Sequence, residues 1–221
     1  MNYEIKLYET MNNEGVILTE KLKEVYYENI FSIDTKKSIV DYSINASSLN
    51  YGYAPTTYSL LEYVFSKYPF SCNDYFLDFG CGKGRVLFMA AFYGCLNLGG
   101  IEIDSSVFND LNSNILNFKK KTNNTSVFDI KNIDAKNTVI ESTYNKFFFF
   151  DPFHLKIFIY IIESIKKSIE SAHRNILLII YRPQPSTIKF IDKLNIFKNI
   201  EQVNITDDGQ NILFVIYSNL L

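Results

Sequence analysis

Near its end the chain carries two apolar runs, 200–205 and 212–217, joined only by Thr206-Asp207-Asp208-Gly209-Gln210-Asn211. A parallel strand pair needs a crossover of about a dozen residues or more, so this connection closes only as a hairpin. Asp-Gly at its centre is a turn dipeptide. The final strand must therefore run against its neighbour.

Upstream of this hairpin, strand and helix alternate. Strands are expected at 75–79, 98–103, 127–133, 147–150 and 175–181, the last a continuous apolar run, Asn-Ile-Leu-Leu-Ile-Ile-Tyr. Such runs suit a parallel sheet covered on both faces. Helical spacing groups Leu60, Leu61, Val64 and Phe65; then Val107, Leu111, Ile115 and Phe118; then Phe158, Ile162, Ile165 and Ile169. Thr56 or Thr57 is expected to cap the first of these helices, and a helix over 85–93 to stop at Gly94. The predicted fold is α/β: a doubly wound Rossmann-like sandwich with a seven-stranded, mostly parallel sheet and an antiparallel last strand. The charged stretch 18–30 reads as helical, so residues 1–50 are expected to form an N-terminal helical arm or cap and 51–221 the main domain.

Composition excludes several classes. A net charge of −2 and a pI near 5.8 do not favour a nucleic-acid partner, and Lys119-Lys120-Lys121 reads as a solvated helix end. Cys72, Cys81 and Cys95 lack paired spacing, which fits a reducing, cytoplasmic setting rather than a disulfide framework. His154 and His173 are the only histidines and there is no CxxC, so no metal site is expected. No apolar stretch is long enough to span a bilayer, and the N-terminus does not read as a secretory signal.

The loop Gly80-Cys81-Gly82-Lys83-Gly84 falls where open α/β sheets bind ligands, between the first strand and its helix. Gly80 and Gly82 permit a tight turn and close backbone approach; Gly84 lets the helix pack closely. Loop amides and the helix N-terminus are expected to face a carboxylate. Arg85 occupies the third glycine position of a dinucleotide fingerprint, which speaks against a pyrophosphate. Asp78 is placed for an ammonium group instead. Glu102, at the end of the second strand, can accept from two ribose hydroxyls, with Ile103 beside it. Asp104 reads as a helix cap. Asp134 is placed to accept from an adenine amino group while the backbone of Ala135 meets the ring edge; a plain turn residue is the alternative. After the fourth strand, Asp151 is placed to hold an acceptor amine, Pro152 to stiffen the turn and Phe153 to form a wall, with Asp151 as a helix cap the alternative. His154 reads as a surface residue at a helix start, with a base beside the acceptor site the alternative; His173 reads as structural, and 147–150 as a buried central strand rather than a binding box.

Residues 76–87 together with Gly100-Ile101-Glu102 resemble the cofactor motifs of class I S-adenosylmethionine-dependent methyltransferases. More narrowly, the chain is similar to a bacterial branch of that family without an assigned substrate. The likeness rests on Phe31-Ser32-Ile33-Asp34-Thr35, Tyr53-Ala54-Pro55-Thr56, the glycine loop, Asp151-Pro152-Phe153 and Ile179-Ile180-Tyr181-Arg182-Pro183. Ser32 stands where the branch has glycine and Asp151 where it has asparagine. The resemblance implies S-adenosylmethionine as cofactor, held by Asp78, Gly80, Cys81, Gly82, Gly84, Glu102, Ile103, Asp134 and Ala135, with Tyr53 and Thr56 over its methionine end. It implies methyl transfer to an acceptor the sequence leaves open, expected to be a nitrogen of a protein or small molecule. The alternative is a non-catalytic module that binds S-adenosylmethionine. A nicotinamide-dependent reductase is disfavoured by Arg85 and the terminal hairpin. The arm is expected to form a lid on the acceptor side; the oligomeric state is not legible.

Overall fold

In the computed structural model, residues 19–36, 53–150, 154–207 and 210–219 are described. Strands β1 (Tyr75–Phe79), β2 (Asn97–Glu102), β3 (Val127–Asn132), β4 (Lys146–Phe150), β5 (Leu177–Tyr181), β6 (Lys198–Asp207) and β7 (Gln210–Ser218) form one sheet. Its order is β3-β2-β1-β4-β5-β7-β6. The first five strands pair in parallel, and β7 runs against both β5 and β6. The predicted reversed last strand is therefore present. The hairpin is tighter than the apolar runs suggested: pairing continues until Asp207 meets Gln210.

Helices α1 (Glu20–Phe31), α2 (Tyr58–Lys67), α3 (Arg85–Phe92), α4 (Ser105–Thr122), α5 (Leu155–Ser171) and α6 (Pro185–Lys193) cover the sheet. Because side chains alternate along a strand, two separate cores result. Phe76, Phe148, Ile179, Tyr181, Phe214 and Ile216 pack against α1 to α4. Leu77, Phe79, Phe147, Phe149, Leu178, Ile180 and Val215 pack against α5 and α6. The Phe79 and Phe149 rings stack 5.1 Å apart within the second core. Each such buried aromatic stabilises the sandwich by about 1.5–3 kcal/mol.

The arm helix is built into the first core. Tyr27, Phe31 and Ile33 are buried there, and the Tyr27 ring stacks on Tyr58 at 4.7 Å. Residues 1–18 and 37–52 lie outside the described residues, and the expected acceptor-side lid falls in part on them. Ser32 ends α1 in the left-handed conformation, φ 57°, where glycine is the unstrained choice.

The expected cap of α2 is right in position but not in bonding. Thr57 occupies the N-cap position but its side chain makes no capping bond, and Thr56 is buried. The carboxylate of Glu20, on α1, accepts from the amides of Tyr58 and Ser59 and from the Ser59 hydroxyl instead. A negative charge there offsets the unpaired amides and the helix dipole. Asp104 caps α4 as expected, accepting from Ser106 and Val107 amides at 2.8 and 3.0 Å. Gly94, φ 91°, follows α3 as the left-handed stop. Lys119-Lys120-Lys121 forms the exposed last turn of α4, where cations complement the helix dipole.

Candidate functional site

The cofactor motifs converge at the carboxyl ends of β1 and β2. Asp78 lies next to Phe148 in the register of β1 and β4, on the face covered by α1 to α4. It is 2% exposed, and its Oδ2 has no hydrogen-bond partner among the described residues. Burial, and then the charge of Glu102, push its carboxyl well above the usual carboxylate range. An unpaired buried carboxylate oxygen costs roughly 1–3 kcal/mol or more. A cationic donor in front of it would remove that cost.

Gly82 (φ 54°) and Gly84 (φ 94°) both need the left-handed region. A Cβ on Gly82 would lie 2.4 Å from the Tyr53 ring, so the missing side chain lets Tyr53 rest on the loop. One on Gly84 would lie 2.5 Å from Leu111 Cδ1, so this glycine lets α3 and α4 close together.

The expected amide cradle is corrected. The amides of Gly80 and Cys81 donate to the Ile101 carbonyl at 2.8 and 3.0 Å, and that of Gly84 to the Cys81 carbonyl at 2.9 Å. The Gly82 amide donates to Glu102 Oε2 at 2.9 Å. These bonds fix the bend from within and tie it to the end of β2. These four amides are therefore engaged within the protein, and the bend is held in shape beside Asp78.

Glu102 also accepts from the Asp104 amide at 2.8 Å, and burial raises its carboxyl. Each carboxylate oxygen carries two acceptor positions, so both can still take a hydroxyl. Ile103, 44% exposed, presents an apolar side chain beside it. Asp134 caps a short 3-10 turn, Ala135–Asn137, accepting from the Lys136 amide at 3.0 Å and pairing with the Lys136 ammonium at 3.0 Å. Ala135 is buried. The Cys81 thiol is buried against Gly100, which pushes its ionisation up and makes it a packing group rather than a nucleophile.

A small cleft brings together Tyr53, Thr56, Asp78, Gly80 and Cys81 from the expected set. Gly82, Gly84, Glu102, Ile103, Asp134 and Ala135 do not line it. Sequence reasoning missed Arg85, Phe148 and Phe150 on its walls. The two phenylalanines alternate on the face of β4 that neighbours Asp78, so strand pairing would have found them. Asp151, Pro152 and Phe153, which follow β4 directly, lie outside the described residues. His154 is exposed and caps α5, its Nδ1 accepting from the Lys156 amide at 3.4 Å. Among the described residues no cluster of three or more His, Cys, Asp or Glu could hold a metal, and no helix is long and apolar enough to cross a membrane.

A sequence profile described as histone methylation protein DOT1 matches residues 27–146, just over half of the chain. The match runs from α1 through the glycine loop and Glu102 to the start of β4. Among solved structures, an uncharacterized protein of Listeria monocytogenes serotype 4b superposes with a TM-score of 0.58 at 12% identity, over 75% of this chain and 69% of its own. A SAM-dependent methyltransferase of Methanosarcina mazei gives 0.56 at 15% identity, over 71% of this chain and 97% of its own. The magnesium protoporphyrin IX methyltransferase of Synechocystis PCC 6803, solved with bound SAM, gives 0.52 at 14%, over 73% and 77%. At these identities the likeness is one of fold. No curated protein matches in sequence.

Proposed function

We infer the activity from membership, because this chain belongs to the family of the histone methylation protein DOT1, within the class I S-adenosylmethionine-dependent methyltransferases: it binds S-adenosylmethionine and transfers the methyl group to a nitrogen of a protein. The observation that carries this reading is the buried carboxyl of Asp78, just before the glycine loop, whose Oδ2 has no hydrogen-bond partner among the described residues. It fits the ammonium of a methionine moiety, a cationic hydrogen-bond donor that a dinucleotide lacks. The family description, which names a protein substrate, supports the acceptor class.

The remaining residues divide the ligand between them. Asp78 holds the ammonium, and Tyr53 and Thr56 cover the methionine end. Glu102 accepts from the ribose hydroxyls. Ile103 lies against the purine, with Asp134 and the Ala135 backbone at its edge. When bound, the cofactor supplies an electrophilic methyl on a sulfonium that leaves as a neutral thioether. The protein therefore has to position and desolvate more than activate. Asp151, with Pro152 and Phe153 beside it in sequence, is our candidate for accepting from the acceptor amine.

The test is transfer itself. The full chain is incubated with methyl-labelled S-adenosylmethionine and a cell extract, which is then split into protein, nucleic acid and small-molecule fractions. Label is expected in protein, and Gly82→Arg is expected to abolish it, because the new side chain displaces Tyr53 from the loop. Label confined to another fraction would overturn the acceptor class. Equal labelling by the wild type and Gly82→Arg would overturn the reaction.

A further inference from the structure

One wall of the cleft is not supplied by the sheet. Tyr53, Ala54, Pro55 and Thr56 precede α2 and line the cleft together with Asp78, Gly80 and Cys81. Arg85, the first residue after the glycine loop, holds that wall. Its guanidinium is buried and donates through Nη1 to the Thr56 carbonyl at 3.2 Å. Nε donates to Thr35 Oγ1 at 2.8 Å. Nη2 reaches Glu24 at 2.7 Å, and Glu28 and the Thr35 carbonyl at 3.3 Å each. The guanidinium also lies over the Tyr58 ring, 4.5 Å from its centroid.

The acceptors of Arg85 are themselves fastened. Glu28, on α1, accepts from the Thr35 amide at 2.8 Å and from the Tyr58 hydroxyl at 2.9 Å. The Tyr53 hydroxyl donates to the Thr35 carbonyl at 2.5 Å, while its ring rests on Gly82. Asn114 of α4 donates to the carbonyls of Asp34 at 3.0 Å and Lys83 at 3.1 Å. Residues 33–36 thus form a strap bonded to the glycine loop, the wall and α1 at once.

We propose that Arg85 is a positioning residue that fixes the strap 33–36 and the wall 53–56 to the glycine loop, so that cofactor binding and docking of this N-terminal part are coupled. The proposal rests on the cofactor reading above. A ligand in the cleft touches the loop on one side and the wall on the other. Whatever holds the wall in place strengthens binding, and by reciprocity the ligand holds the wall. Lysine cannot replace Arg85: an ammonium is a point donor and cannot span Thr35, Thr56, Glu24 and Glu28 from one position. The same guanidinium neutralises Glu24 and Glu28, two of the three acids of α1, the second of them buried, which explains why this helix belongs to the core rather than hanging from it.

Hydrogen exchange and calorimetry on the full chain test this. In ligand-free protein, Arg85→Lys is expected to speed amide exchange at 33–36 and 53–57 by about tenfold while leaving β4 and β5 unchanged. Affinity for S-adenosylhomocysteine is expected to fall about tenfold, within the usual range of coupling energies. Glu24→Gln alters one partly exposed partner, and serves if Arg85→Lys does not fold; it should move both readouts the same way, by about threefold. Ile165→Val, buried in the opposite core, lowers the melting temperature as a control and should move neither readout. Adding S-adenosylhomocysteine to the wild type should slow exchange in the strap and the wall. Wild-type affinity in the folded Arg85 or Glu24 variants overturns the proposal, as does an affinity loss matched by Ile165→Val. A wild type that binds no S-adenosylhomocysteine overturns the cofactor reading and the coupling together, whereas unchanged exchange in ligand-free Arg85→Lys removes the strap alone.

Discussion

Asp78 carries opposite consequences for stability and for binding. Its folded-state carboxyl is raised above the usual range by burial and by Glu102, so the ionised form is disfavoured in the fold. Unfolded, it ionises near pH 4. The unfolded state therefore releases this proton first, and the group lowers stability as pH rises above that value, until the folded carboxyl also ionises. Asp78→Asn is expected to stabilise the ligand-free protein at neutral pH by about 1–2 kcal/mol, or roughly 2–8 °C in melting temperature. The same change should weaken S-adenosylmethionine binding about tenfold, since the ammonium loses its counter-charge. In the wild type, affinity should increase with pH as Asp78 ionises. Thermal melts and titrations between pH 5 and 8 check both signs, and an Asp78→Asn protein that is less stable and binds as well would contradict the assignment. The positions of Asp78, Glu102 and the glycines at the strand ends and in the bend were legible because they follow from local spacing. Arg85 was legible only as a departure from a fingerprint, since Thr35 and Glu24 are distant in sequence and their meeting is a tertiary event. The loop amides were misassigned because the Ile101 carbonyl and the Glu102 carboxylate, on the neighbouring strand, take them first.

At the level of elements, pattern was a good guide where a face is buried and a poor one where it is not. The sheet strands and α3 to α5 follow their apolar periodicity closely. Helix α6 went unread because only Thr187 and Ile191 are buried along it, and its clearest signal is Pro185 in the first turn. The cap of α2 comes from Glu20, on another helix, which no local motif encodes. Ser32 is the clearest mismatch between residue and backbone, a left-handed position without glycine at an exposed helix end. Ser32→Gly is expected to stabilise the protein by about 0.5–1 kcal/mol, because it relieves the left-handed penalty at a modest cost in chain entropy. Urea titration with an unchanged slope should show the midpoint moving up. A lowered midpoint would mean that the serine side chain contributes something the backbone geometry does not.

For the molecule as a whole, the hairpin at the end was the decisive clue, because chain length alone forbids a parallel crossover there and so fixes the reversed seventh strand. The doubly wound sheet then puts β1 and β2 side by side, with their carboxyl ends forming the crevice where such folds bind ligands. That is how Asp78, the glycine bend and Glu102 come together at the carboxyl ends of β1 and β2, with α1 tied to the residue after the bend through Arg85. The most direct measurement is a crystal structure of the full chain grown with S-adenosylhomocysteine. The account predicts its amine against Asp78 and its ribose hydroxyls against Glu102, with Tyr53 and Thr56 over the amino-acid end. Density for the ligand elsewhere, or Asp78 still without a partner beside a bound nucleoside, would contradict it.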